Sequence, residues 1–160
     1  PGSFFALEGA GPLCDWLPAL AAALDGAWQW LKPGARPLYH AGAVFASNYV
    51  VTLFSIGVRL LAEAGLTPAQ ASSALLSLTE GAVHNLAAVG LPGALTGPIR
   101  RGDADTVIRH LDALDATAPD LSSLYRALAR QTLPLAQSLN LDPQALDAVT
   151  HAVRTEIPTR

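Results

Sequence analysis

Methionine is absent from the chain, and cysteine occurs once, at position 14. One thiol builds neither a disulfide framework nor a cysteine-based metal site within the chain. On a helix, Cys14 is expected to be a small apolar filler, and the composition fits the cytosol. Charge is scarce as well: Asp, Glu, Lys and Arg make up 14% of residues, against roughly 25% in an ordinary soluble domain. The net charge is −3, and Arg100-Arg101 is the only adjacent basic pair. That excludes the electrostatic footprint of a nucleic-acid binder. No His-x-x-x-His pair or carboxylate cluster offers metal-ligand spacing, so no metal site is expected. There is no Gly-x-Ser-x-Gly elbow, no phosphate-binding P-loop and no G-x-G-x-x-G dinucleotide fingerprint.

What is present is apolar residue, at 51% of the chain. With so little charge, much of each helix surface is expected to face protein rather than water, as in a subunit interface. The chain opens Pro1-Gly2-Ser3. With no Met at its head, a fragment or a protease-trimmed chain is expected, with Pro-Gly-Ser as a cloning scar. No signal peptide is visible. The stretch from Ala41 to Leu61 is as long as a membrane span. Ser47, Asn48, Thr52, Ser55 and Arg59 interrupt it, so it is read as a buried core helix and no membrane partner is expected.

Phe4 to Glu8 reads as a strand that stops at Gly9. Leu13, Leu17, Leu20 and Leu24 recur at helical spacing after Pro12, and Gly26 ends that pattern. Trp28 to Leu31 reads as a second strand. Two strands cannot hide their own faces and edges, so this βαβ-like stretch, residues 1–36, looks like the tail of a larger sheet. Residues 37–160 then read as five helices. The first is one long helix from Leu38 to Ala64. Thr67-Pro68 caps and opens the second, which runs to about Val89. Turn formers fill Leu91 to Pro98. Asp103 caps the third helix and Pro119-Asp120 opens the fourth, where Pro134 predicts a kink. Asp142-Pro143 opens the fifth, which ends near Thr155.

Two segments carry polar groups that packing does not require. His40, Val44, Ser47 and Asn48 fall on one broad face of an unbroken helix. There His40 and Asn48 either point into a cleft or cap and satisfy neighbouring backbone. The loop from Gly93 to Asp103 holds Thr96, Arg100, Arg101 and Asp103. It either holds a carboxylate or phosphate at the following helix start or simply joins two helices, with Asp103 as a cap. His84 pairs with Glu80 in helical spacing, a surface arrangement. His110 and His151 stand apart and read as surface or core residues.

The segments LYHAGAVFASNYVVTL and ALTGPIRRGD together resemble a bacterial family of uncharacterised oxidoreductase-like proteins. In that family a Rossmann-like half precedes a helical domain of unknown function. The resemblance covers roughly Phe4 to Arg154. The family in turn is similar to the phosphogluconate dehydrogenase-like superfamily, which includes pyrroline-carboxylate reductase and ketopantoate reductase. The resemblance implies a mainly α, five-helix C-terminal dimerisation domain behind a short βαβ remnant of a Rossmann domain. It implies a homodimer, an unknown small-molecule substrate, and NAD(P) bound by the other half, with the present chain inactive by itself. In several of those relatives a Lys and an Asn on the long helix touch substrate. Here the comparable helix carries His40 and Asn48 and no Lys. His40 then becomes the candidate catalytic proton donor to a carbonyl or imine as hydride arrives. Asn48, Thr96, Arg100, Arg101 and Asp103 become the candidate substrate contacts. The rival expectation is a non-catalytic metabolite-binding or scaffold protein derived from a reductase.

Overall fold

A computed structural model describes residues 2–154. The chain is mainly helical with one two-stranded parallel sheet. It divides into two compact units that meet between Ser55 and Ile56.

The first unit opens with β1 (Phe4–Leu7), α1 (Leu13–Ala23) and β2 (Ala27–Trp30). The strands run parallel with Phe4 opposite Ala27 and Leu7 opposite Trp30. Parallel strands need a long crossover, and α1 supplies it. Glu8, just past β1, ties the unit together. Its carboxylate accepts from the Gly34 amide at 3.2 Å and pairs with the Arg36 guanidinium at 3.1 Å. Leu7 and Ala21 are buried, but Phe4 stays 60% exposed and Trp16 74% exposed, so the sheet and α1 each leave apolar surface uncovered.

The expected single helix over residues 38–64 is instead two, α2 (Arg36–Ala46) and α3 (Asn48–Glu63). Ser47 breaks the run with φ −125° and ψ −71°. Serine and asparagine offer the backbone competing hydrogen bonds, and here they fall side by side. The Phe45 and Tyr49 rings meet edge to face across the break, with centroids 5.1 Å apart. The expectation of a buried core helix is also corrected. Neither α2 nor α3 contains a buried residue. The stretch is long and apolar enough to cross a membrane by length and composition, with mean hydropathy 1.6. Hydropathy specifies only that such a surface avoids water, not which protein or lipid covers it.

In the second unit, α4 (Pro68–Val89) begins at a capping box. The Thr67 hydroxyl accepts from the Gln70 amide, and the Gln70 side chain accepts from the Thr67 amide. Two unpaired donors of the helix start are satisfied that way. Ala71 is the one buried residue of α4. Next come α5 (Gly97–Arg101), α6 (Ala104–Thr117), α7 (Pro119–Gln137) and α8 (Pro143–Arg154). Thr155, the expected end of the last helix, lies outside the described residues. The five-helix expectation thus misses the break at Ser47 and the short α5. Pro134 lies within α7, which continues to Gln137.

The core lies among α5, α6, α7 and α8. Val107, Leu111, Ala129, Val149 and Val153 are its central members. Their small side chains let the helices approach closely. A second cluster, Leu114, Ala118 and Leu121, takes Ile56 and Leu60 of α3 against it. Arg126 is buried, and its guanidinium donates to the Ala152 carbonyl at 3.0 Å, while Arg130 donates to the Val153 carbonyl at 3.3 Å. Both cations thereby meet the negative end of α8 and its otherwise unpaired carbonyls.

Candidate functional site

Of the expected site residues, His40 and Asn48 lie in the first unit and Thr96, Arg100, Arg101 and Asp103 in the second. His40 is exposed on α2. Asn48 is the first residue of α3, and its carbonyl accepts from the Thr52 hydroxyl at 3.5 Å. The shared face expected for positions 40 and 48 assumed an unbroken helix, so the break at Ser47 removes that argument for their alignment.

The 93–103 loop is built by its backbone. The Leu95 amide donates to the Pro92 carbonyl, and the Asp103 amide donates to the Pro98 carbonyl at 2.9 Å, closing α5. Asp103 then caps α6. Its carboxylate accepts from the Thr106 amide at 3.0 Å and from the Thr106 hydroxyl at 2.7 Å. Arg101 approaches the same carboxylate at 3.9 Å. Of the two readings of the loop, the cap is formed: at the start of α6 the Thr106 amide is taken by the protein's own carboxylate.

The bond from the Thr106 hydroxyl, with the amide bond behind it, holds the Asp103 carboxyl below the usual aspartate range. Asp120 is held low in the same way by Arg59, which donates to it at 2.7 and 2.9 Å. A folded pKa below the unfolded one adds stability that is complete above the unfolded value. It is lost as pH falls through the folded value. Both groups are solvent-exposed, so the effect is modest. The double variant D103N/D120N is expected to narrow the difference in melting temperature between about pH 6 and about pH 3. An undiminished difference would show that neither carboxylate stabilises the fold.

Thr96 lines a cavity of about 300 Å³ with Leu95, Pro98, Ile99, Tyr125 and Thr132, among others. A larger groove, about 420 Å³, is lined by Leu60, Glu63, Ala64, His110, Ala113, Leu114, Thr117 and Tyr125. Tyr125 borders both. Its hydroxyl lies 2.9 Å from His110 Nδ1, and the two rings meet edge to face at 5.9 Å. Partial burial pushes the Tyr125 phenol up from its usual pKa, so it stays protonated and able to donate. The sequence reading passed over Tyr125 and left His110 isolated. Positions 110 and 125 are nearly equidistant from Ala118, where the chain turns between α6 and α7. Recognising that hairpin would have paired them.

The turn from β1 into α1 is poorly suited to a dinucleotide phosphate. Two amides of the first turn of α1 are already bonded, Cys14 to the Gly11 carbonyl at 3.0 Å and Asp15 to the Pro12 carbonyl at 3.3 Å. Pro12 at the helix start has no N–H to offer a phosphate, and Asp15 puts negative charge in the first turn. Side chains also crowd Gly9, where an added Cβ would meet Leu13 at 3.1 Å and Leu17 at 3.3 Å. Among the described residues, no group of three or more His, Cys, Asp or Glu side chains could hold a metal ion.

The model of a family described as a domain of unknown function, DUF2520, matches residues 3–132. No curated protein and no solved structure matches the chain.

Proposed function

The chain belongs to the DUF2520 family, and from that premise we propose that it is the helical, dimer-forming half of an NAD(P)-dependent oxidoreductase. One observation carries the dimer-forming part of this reading. The apolar stretch Arg36–Glu63 has none of its residues buried within the chain. Beside it in sequence, α4 leaves Leu78 70% and Val83 58% exposed. Most apolar residues of α2 and the first half of α3 are exposed, whereas Ile56 and Leu60 are half-buried. The exposed stretch marks an interaction surface, and the resemblance of the sequence to dimeric reductases supports a second copy as the partner.

The nucleotide in this reading is bound by a Rossmann-like half; the bonded Cys14 and Asp15 amides and the crowding at Gly9 support placing it outside this chain. In this reading His40 is the proton donor to the substrate, and Asn48 and Thr96 contact it. Arg100 and Arg101 neutralise an anionic group, and Asp103 fixes the loop that carries them. NAD(P)H, when bound by that other half, would supply the hydride.

Thermal melts with and without NADPH or NADH test the assignment, because a ligand that binds the folded state raises its stability by mass action. The chain joined to its Rossmann-like half is expected to melt higher with one dinucleotide, and the present chain with neither. No shift in the joined protein would favour the non-catalytic, reductase-derived alternative.

A further inference from the structure

The groove between the end of α3 and the α6–α7 hairpin has features that neither a dimer nor a reductase requires. Its floor is apolar: Leu60, Leu114 and the Tyr125 ring all belong to the smaller buried cluster or pack against it. Its space exists because Ala64 and Ala113 contribute only methyl groups. At about 420 Å³ it falls within the size of small-molecule sites, which are mostly apolar with a few polar groups.

Among the described residues, the lining holds one carboxylate, Glu63, and one imidazole, His110. The nearest cation on the same helix, Arg59, gives its two hydrogen bonds to Asp120 and reaches Glu63 only by longer-range attraction, so the Glu63 carboxylate keeps its hydrogen-bonding positions for a ligand. Tyr125 and His110 add a hydroxyl oxygen and a ring face.

We propose that this groove binds a small apolar amine, its hydrocarbon body on Leu60, Leu114 and Tyr125 and its ammonium on Glu63. The Tyr125 ring and hydroxyl favour a cation in the same place, through the negative face of the ring and the oxygen lone pairs. An anion of the same shape meets the repulsion of Glu63, and the basic side chain of the lining, His110, already has its Nδ1 engaged by the Tyr125 hydroxyl. The assignment does not rest on the oxidoreductase reading, and either stands without the other.

Titration of the chain with three matched probes, phenethylamine, 3-phenylpropionate and 2-phenylethanol, followed by NMR, tests the groove. Phenethylamine is expected to saturate and to shift the His110 and Tyr125 resonances, with the carboxylate probe weakest. Glu63→Gln is expected to weaken phenethylamine about tenfold, the loss of one charge-assisted contact. Ala113→Leu, at an exposed position, fills the groove and is expected to abolish binding while the thermal melt is kept. Equal binding of the three probes overturns the proposal, as does an unchanged affinity in E63Q. No phenethylamine binding up to about 10 mM overturns it too. If A113L leaves phenethylamine binding intact and changes the sedimentation of the chain, the groove is part of the subunit interface and the proposal falls.

Discussion

Replacing Gly102 by alanine is expected to destabilise the second unit by about 2–5 kcal/mol, more than any other single methyl added to its loops. Gly102 ends α5 in the left-handed region, at φ +69° and ψ 23°. A side chain there costs about 1–2 kcal/mol through its contact with the following carbonyl. The space is also taken. An added Cβ would lie 2.5 Å from the Ala145 Cβ and 3.3 Å from Leu141 Cδ1. Ala145 sits in α8, so relief requires moving one helix against another, and overpacking of that kind costs about 1–3 kcal/mol.

Gly97→Ala separates the two causes. Gly97 has φ +88° but nothing within 4 Å of an added Cβ, so only the backbone term of about 1–2 kcal/mol applies. Urea denaturation of the three proteins measures both differences. If G102A costs no more than G97A, the contact between α5 and α8 does not set the loop's geometry.

The capped helix starts were legible in the sequence because caps are local chemistry. Thr67-Pro68, Asp103 and Asp142-Pro143 each placed a side-chain acceptor before a helix, and all three accept the expected amide. The short βαβ-like opening was legible for a similar reason, since its two apolar runs and the helical spacing between them stop at Gly9 and Gly26. The break at Ser47 was not. One serine and one asparagine weaken a helix by less than the apolar residues around them favour it, so periodicity ran straight through. The five-residue α5 is too short to show a period at all. An anion at the start of α6 would meet a competitor that the loop's composition conceals. A cap residue and a bound anion compete for the same amides, and Asp103 is covalently present. Tyr125 escaped notice because its partner is fifteen positions away across a tight turn, where no spacing rule links them.

Hydropathy identified the 38–64 stretch as apolar and then misassigned its cover. A core helix and an interface helix read alike, because each only needs its surface hidden from water. The difference becomes visible in exposure: Leu38 at 78%, Phe45 at 69% and Val51 at 71%. These residues make the sharpest test of the dimer. Val51→Glu places a carboxylate in the middle of the uncovered surface, on a helix with no acidic residue before Glu63. In the isolated chain the side chain stays in water, so circular dichroism is expected to be unchanged. In a dimer it is buried without a cation opposite, which costs far more than the lost methyl contacts. The expected result is a rise in the dimer dissociation constant of about 30-fold or more, the scale of a central interface residue at about 2 kcal/mol. Sedimentation equilibrium of wild type and V51E across a concentration series reads this directly. A wild-type chain that stays monomeric at every concentration removes the interface. Partition of the wild type into lipid vesicles, lost in V51E, would make the same surface a lipid contact, because a carboxylate is excluded from hydrocarbon as it is from an apolar dimer seam.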